Sequence, residues 1–144
     1  MKTFYFVSEK PVKLLTPRIP HNFLTENGYE DDITKRICVS TSIDKCLIAL
    51  SYSLDNKEFY VYKINEDKYT KPTVKQVPDV HLTDEYWIEH NIRPELYCKI
   101  KVDNAKEYYI NSNGDKIPAD KLLYSYGKYT AELCEWNYNI IKYY

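Results

Sequence analysis

At 144 residues and 17.2 kDa, with 44% hydrophobic and 28% charged residues, the chain fits one domain with one core and lies far from the composition of disordered segments. Its 20 basic and 21 acidic residues leave a net charge of −1 and are spread along the whole chain, so no electrostatic footprint for duplex nucleic acid or an anionic membrane is present. Only three glycines occur, which leaves no phosphate-cradling glycine loop and excludes the Walker and Rossmann nucleotide folds.

The first residues, Met1 to Val7, carry one lysine and a brief apolar run before Ser8-Glu9-Lys10. That run is too short for a signal peptide or a membrane span, and a cytoplasmic protein is expected. Thr3 to Ser8 is rich in aromatic and β-branched residues and reads as a first strand. From Pro11 to Lys35 the prolines, Asn27-Gly28 and the acidic triplet Glu30-Asp31-Asp32 predict a long irregular excursion, of the kind that covers or lines a site. Within it, Pro17-Arg18-Ile19-Pro20 is a stiff extended loop, or an arginine presented over a cleft. The triplet reads as a solvated turn or as ion pairs to Lys35 or Arg36, and lacks the spacing of a cation loop.

Arg36 to Ser40 is the second strand, ending in Ser40-Thr41-Ser42. Behind it Ile43, Cys46, Leu47 and Leu50 recur at i, i+3, i+4 and i+7, and Thr41 with Asp44 has the spacing of a capping box, so a helix comes directly after the strand. Glu58 to Ile64 alternates as a strand, with Phe59, Val61 and Lys63 on one face and Tyr60, Tyr62 and Ile64 on the other. A polar turn region runs on to Val80. Thr83-Asp84-Glu85-Tyr86-Trp87-Ile88 places carboxylates beside an aromatic strand. Leu96 to Val102 is a further strand, and Lys106 to Ile110 pairs with the segment on the far side of the tight-turn signal Asn113-Gly114. Lys121 to Tyr126 reads as strand or helix. Tyr129, Leu133, Trp136 and Ile140 fall at helical spacing in a segment also rich in strand formers. The expected class is α+β: a single domain, residues 1–144, of mainly antiparallel strands around one or two short helices.

Cys38, Cys46, Cys98 and Cys134 show none of the close pairing of zinc or redox sites and read as reduced core residues. His21, His81 and His90 have no paired arrangement, and no metal site is expected. The 16 tyrosines supply rings for a core or a cleft. With abundant Lys, Asn and Ile they also mark AT-rich coding, against which the three arginines, Arg18, Arg36 and Arg93, stand out.

A strand ending in Ser40-Thr41-Ser42 and passing straight into a helix resembles the second conserved block of ADP-ribosyltransferases. The order of parts is similar too: an early strand at Tyr5 to Ser8, the Ser-Thr-Ser block, then Glu85 before the strand Lys99-Ile100-Lys101-Val102. The likeness covers roughly residues 3 to 103. It implies a split sheet, NAD as substrate, and transfer of ADP-ribose to an unknown protein or nucleotide acceptor. Under it Glu85 is the catalytic carboxylate, Ser40 and Ser42 hydrogen-bond the ribose or steady Glu85, Tyr5 or Tyr86 stacks on nicotinamide, and Arg18 and Arg36 pair with the pyrophosphate. Ser8 and Thr41 complete the cofactor-binding set. The family places an Arg or His on the first strand; Phe4-Tyr5-Phe6-Val7-Ser8 has neither, leaving Arg18 or Arg36 to stand in. The chain also resembles small proteins of Gram-positive bacteria and their phages. The rival expectation is a non-catalytic bacterial or phage binding protein that holds a protein or nucleotide partner on tyrosine-rich surfaces.

Overall fold

A computed structural model describes residues 1–21, 23–50, 54–78, 80–110, 113, 115–118 and 131–144. Their order is β1 (Lys2–Ser8), α1 (Phe23–Glu26), β2 (Ile37–Val39), α2 (Ile43–Ala49), β3 (Glu58–Glu66), α3 (Val80–Thr83), β4 (Tyr86–Ile88), β5 (Glu95–Ile110), β6 (Lys116–Pro118) and β7 (Ala131–Tyr143). The class is α+β, as expected, and every strand pairing among the described residues is antiparallel. One sheet runs β1-β3-β5-β6 with β7 also on β5, and a second, two-stranded sheet joins β2 to β4.

The apolar pattern decides where these sheets meet. Val7, Phe59, Val61, Cys98, Ile100 and Val102 share a core cluster with Cys46 and Leu47 of α2, so the helix lies against the large sheet. Phe4 and Ile64 of that sheet form a second cluster with Ile37, Val39 and Ile88 of the small one. β3 buries side chains on both faces because Phe59 and Val61 meet the first cluster and Ile64 the second, while a register shift opposite Val61/Tyr62 leaves the extra residue in β5. There Tyr62 is interior, and its hydroxyl accepts the Val12 N–H at 2.7 Å.

α2 forms where its periodicity predicts, but its cap differs from the expected box. Ser42, in an extended conformation, is the N-cap and accepts the Lys45 N–H at 3.2 Å. Thr41 instead donates to the Asp84 carboxylate, and Asp44 accepts from the Trp136 indole at 3.2 Å. The cap moves one residue along because Thr41 has a stronger, charged acceptor within reach.

The excursion after β1 is tied down by backbone bridges. Leu15 pairs with Ile92 at 2.8 and 3.0 Å, and Arg18 pairs with Arg36 at 3.1 and 3.0 Å. Single helical turns, α1 and α3, interrupt segments read as irregular. β5 is one continuous strand rather than two; it pairs with β6 from Tyr108↔Pro118 to Ile110↔Lys116, so the chain reverses at Asn113 as expected. Of the segments left open, Ala131–Tyr143 is strand. Lys121 to Tyr126, Gly114 and Tyr129 lie outside the described residues, as does the Cys134 side chain. No helix among the described residues is long and apolar enough to cross a membrane.

Ile100, fully buried at the centre of the large sheet, sets the expected cost of opening this core. Ile100→Ala should lower unfolding free energy by about 2–5 kcal/mol. Ser42→Ala should cost only about 1 kcal/mol, the worth of one cap. Urea unfolding followed by circular dichroism measures both.

Candidate functional site

The two sheets are joined along β1 at a single point. Tyr5 N–H donates to the Ser40 carbonyl at 2.7 Å, and Ser40 N–H returns the bond to Tyr5 at 3.1 Å. Among the described residues this is the only backbone exchange between β1 and the β2 segment. Beyond it the strands part and open a cleft of about 730 Å³. Its wall includes Ser8, Arg18, Arg36, Ser40 and Glu85, together with Cys38, Thr83 and Glu30 and apolar surface from Phe6, Leu15, Leu50 and Phe59. Antiparallel alternation directs the backbone N–H and C=O of Val7, two residues past Tyr5, toward the same opening.

The period of two in β2 explains the polar wall. Ile37 and Val39 turn into the second core cluster, so Arg36, Cys38 and Ser40 share the opposite side. Across the ladder Cys38 lies opposite Trp87, and Glu85, two residues before Trp87, joins the same side. The Trp87 indole N–H donates to Glu85 Oε2 at 2.7 Å. The Arg36 guanidinium stacks on the Trp87 ring, 4.4 Å from its centroid.

Arg36 is only 1% exposed, and a buried guanidinium must be paired to be tolerated. Its Nη1 donates to the carbonyls of Asp31 at 2.8 Å and Thr34 at 2.9 Å. It also meets the Asp31 carboxylate at 3.3 Å, while Nη2 lies 3.7 Å from Glu30. Glu30 and Asp31 of the acidic triplet therefore make the expected ion pairs to Arg36. The Nε and Nη2 atoms of Arg36, both buried, have no hydrogen-bond partner.

Among the described residues, the wall of the cleft does not include Tyr5, Thr41, Ser42 or Tyr86. Tyr5 packs against the first core cluster, with Tyr97 at 6.5 Å. Thr41 and Ser42 serve Asp84 and the helix cap. Tyr86 belongs to an aromatic group with Phe4 at 5.1 Å and Tyr69 at 5.5 Å, under the ammonium groups of Lys2 and Lys71. Sequence reasoning missed Cys38, which alternation with Arg36 and Ser40 would have placed on the wall. It also missed Glu30 and Thr83, whose positions no local pattern announces.

Below the wall, Asp84 receives the Lys71 ammonium at 2.6 Å as well as the Thr41 hydroxyl. These two groups, the lysine foremost, hold its carboxyl below the ordinary carboxylate value. Burial pushes the Asp31 carboxyl up, but N–H donors from Thr34 and Ile33 and the nearby Arg36 outweigh it and leave the net shift downward. Burial, with the Glu85 charge nearby, pushes the Cys38 thiol up to about 12, and burial raises Cys46 to about 12 as well. Cys38 is therefore a protonated wall residue at neutral pH and a poor nucleophile. No protein-family model, curated protein or solved structure matches the chain.

The pH dependence has a definite sign. A carboxyl with a folded-state value below its unfolded one, roughly 3.9 for Asp, contributes stability above that value and loses it as pH falls through the folded-state value. Asp84→Asn should therefore flatten the acid limb of the stability curve below about pH 4 while altering neutral stability modestly, since the pair is partly exposed. Unfolding midpoints measured from pH 2 to 7 check this. For the thiols, iodoacetamide at pH 8 should leave Cys38 and Cys46 unmodified in the folded protein and label them once urea unfolds it, as read by peptide mass spectrometry.

Proposed function

We propose that the cleft binds NAD and that the chain is an ADP-ribosyltransferase-like protein, built on a split sheet, that transfers ADP-ribose to a protein or nucleotide acceptor. The observation that carries this reading is the shared wall: Ser40 and Glu85, distant in sequence, line one cleft together with Ser8, Arg18 and Arg36. Its volume suits a ligand of this size.

The chemistry needs what that wall offers. Breaking the bond between nicotinamide and ribose builds positive charge on the sugar, and a carboxylate beside the ribose stabilises that charge more than the ground state. Glu85 supplies the carboxylate, and the Trp87 indole N–H fixes its aim. In this reading the Ser40 hydroxyl, in the cleft wall, hydrogen-bonds a ribose hydroxyl. Arg18, exposed, and Arg36, buried, carry positive charge suited to a pyrophosphate. A carboxamide needs one donor and one acceptor, which the Val7 backbone presents. With Tyr5 and Tyr86 elsewhere, the rings available for stacking in the wall are Phe6 and Phe59.

A second reading, non-catalytic capture of a partner by a bacterial or phage protein, draws on the apolar C-terminal end of β7. There Ile141, Tyr143 and Tyr144 are 50%, 61% and 53% exposed. The two readings separate in one experiment. Purified protein incubated with NAD should release nicotinamide, and Glu85→Gln, which keeps the acceptor for Trp87, should slow release by about 100-fold or more. Calorimetry should show NAD bound by both forms with affinities within a fewfold. Equal release by both proteins ends the catalytic role of Glu85, and absence of NAD binding ends the proposal.

A further inference from the structure

The Arg36 guanidinium has two edges, and only one makes hydrogen bonds. Nη1 is spent on the Asp31 and Thr34 carbonyls and the Asp31 carboxylate. Nε and Nη2 form the other edge, whose parallel N–H bonds grip two oxygens of one carboxylate or phosphate. Both atoms are buried, neither has a hydrogen-bond partner, and the residue lines the cleft. An unmade hydrogen bond at a buried charged donor is costly. The Arg36 position is nevertheless strongly held, by Trp87 stacking, two carbonyls and the backbone bridge to Arg18.

We infer that this edge of Arg36 is the docking point for a ligand oxyanion, and that Glu30 is its built-in competitor. The Glu30 carboxylate sits 3.7 Å from Nη2 and lines the same cleft. At that distance it balances the guanidinium charge without making the short bond. An incoming phosphate or carboxylate takes both N–H donors and meets repulsion from Glu30, so Glu30 sets how tightly the anion is held. The inference builds on the proposed ligand cleft but does not require the ligand to be NAD.

The reporter is already in place, because Trp87 is stacked on Arg36. Trp136→Phe leaves Trp87 as the sole tryptophan. In that background, fluorescence titrated at constant ionic strength with inorganic phosphate, pyrophosphate and acetate should change saturably with at least one anion, and the order of affinities tells a phosphate source from a carboxylate one. Arg36→Lys keeps the charge but lacks the two-pronged edge, and should weaken binding about 10- to 100-fold. Glu30→Gln should tighten it about fivefold or more. A response to all three anions no different from chloride, or equal affinity in wild type and Glu30→Gln, overturns the inference. Should Arg36→Lys fail to fold, Glu30→Gln alone decides. Saturable anion binding without NAD binding sinks the NAD reading and leaves this one standing. NAD binding that neither pyrophosphate nor Glu30→Gln alters does the reverse.

Discussion

Two backbone hydrogen bonds between Tyr5 and Ser40 are the constraint on which the arrangement turns. They fasten the small sheet to the outer edge of the large one at one residue pair, while β1 continues to Ser8 along β3 and the β2 chain turns into α2. Two strands pinned at one point and diverging after it must leave a wedge of space. The wedge becomes a cleft because both departing segments carry side chains that line it rather than fill it: Phe6 and Ser8 on one side, Ser40 and Cys46 on the other.

The polar character of the wall comes from the same geometry. β2 and β4 are each three residues long and bury their apolar side against Phe4, Leu15 and Ile64. Their other side is then committed to Arg36, Cys38, Ser40 and the Glu85–Trp87 pair. Placing a guanidinium there is expensive; the excursion before β2 offsets the cost with the Asp31 carboxylate and two carbonyls, and Trp87 of β4 adds an aromatic face. The irregular segment is thus folded around Arg36, and its long loop is ordered by a residue of the site it covers.

Much of this was readable in the sequence where the deciding forces are local. β1, β2, α2 and β3 follow from alternation and from the i, i+3, i+4 repeat of Ile43, Cys46 and Leu47. The ion pairing of Glu30 and Asp31 follows from proximity to Arg36. The cap was misplaced by one residue because Thr41 finds Asp84, 43 positions away. β7 looked equally helical because register shifts at Lys99/Ile100 and Asp103/Lys106 break the two-residue period that betrays a strand. In the site, Ser8, Arg18, Arg36, Ser40 and Glu85 share a wall, whereas Tyr5 and Tyr86 turn into core and aromatic packing. A tyrosine has no local signature that separates a pocket from an interior, so those two positions required the tertiary fold.

Asp84 has φ of +47°, a left-handed backbone that Asp and Asn tolerate better than other non-glycine residues. Its carboxylate is held by Lys71 and Thr41, while the next residue, Glu85, is buried and lines the cleft. Two adjacent acids thereby receive opposite duties, one as an external brace and one as an interior group. The brace is partly open to solvent, so dissolved salt screens it far more than it screens the buried Glu85 carboxylate and its Trp87 partner.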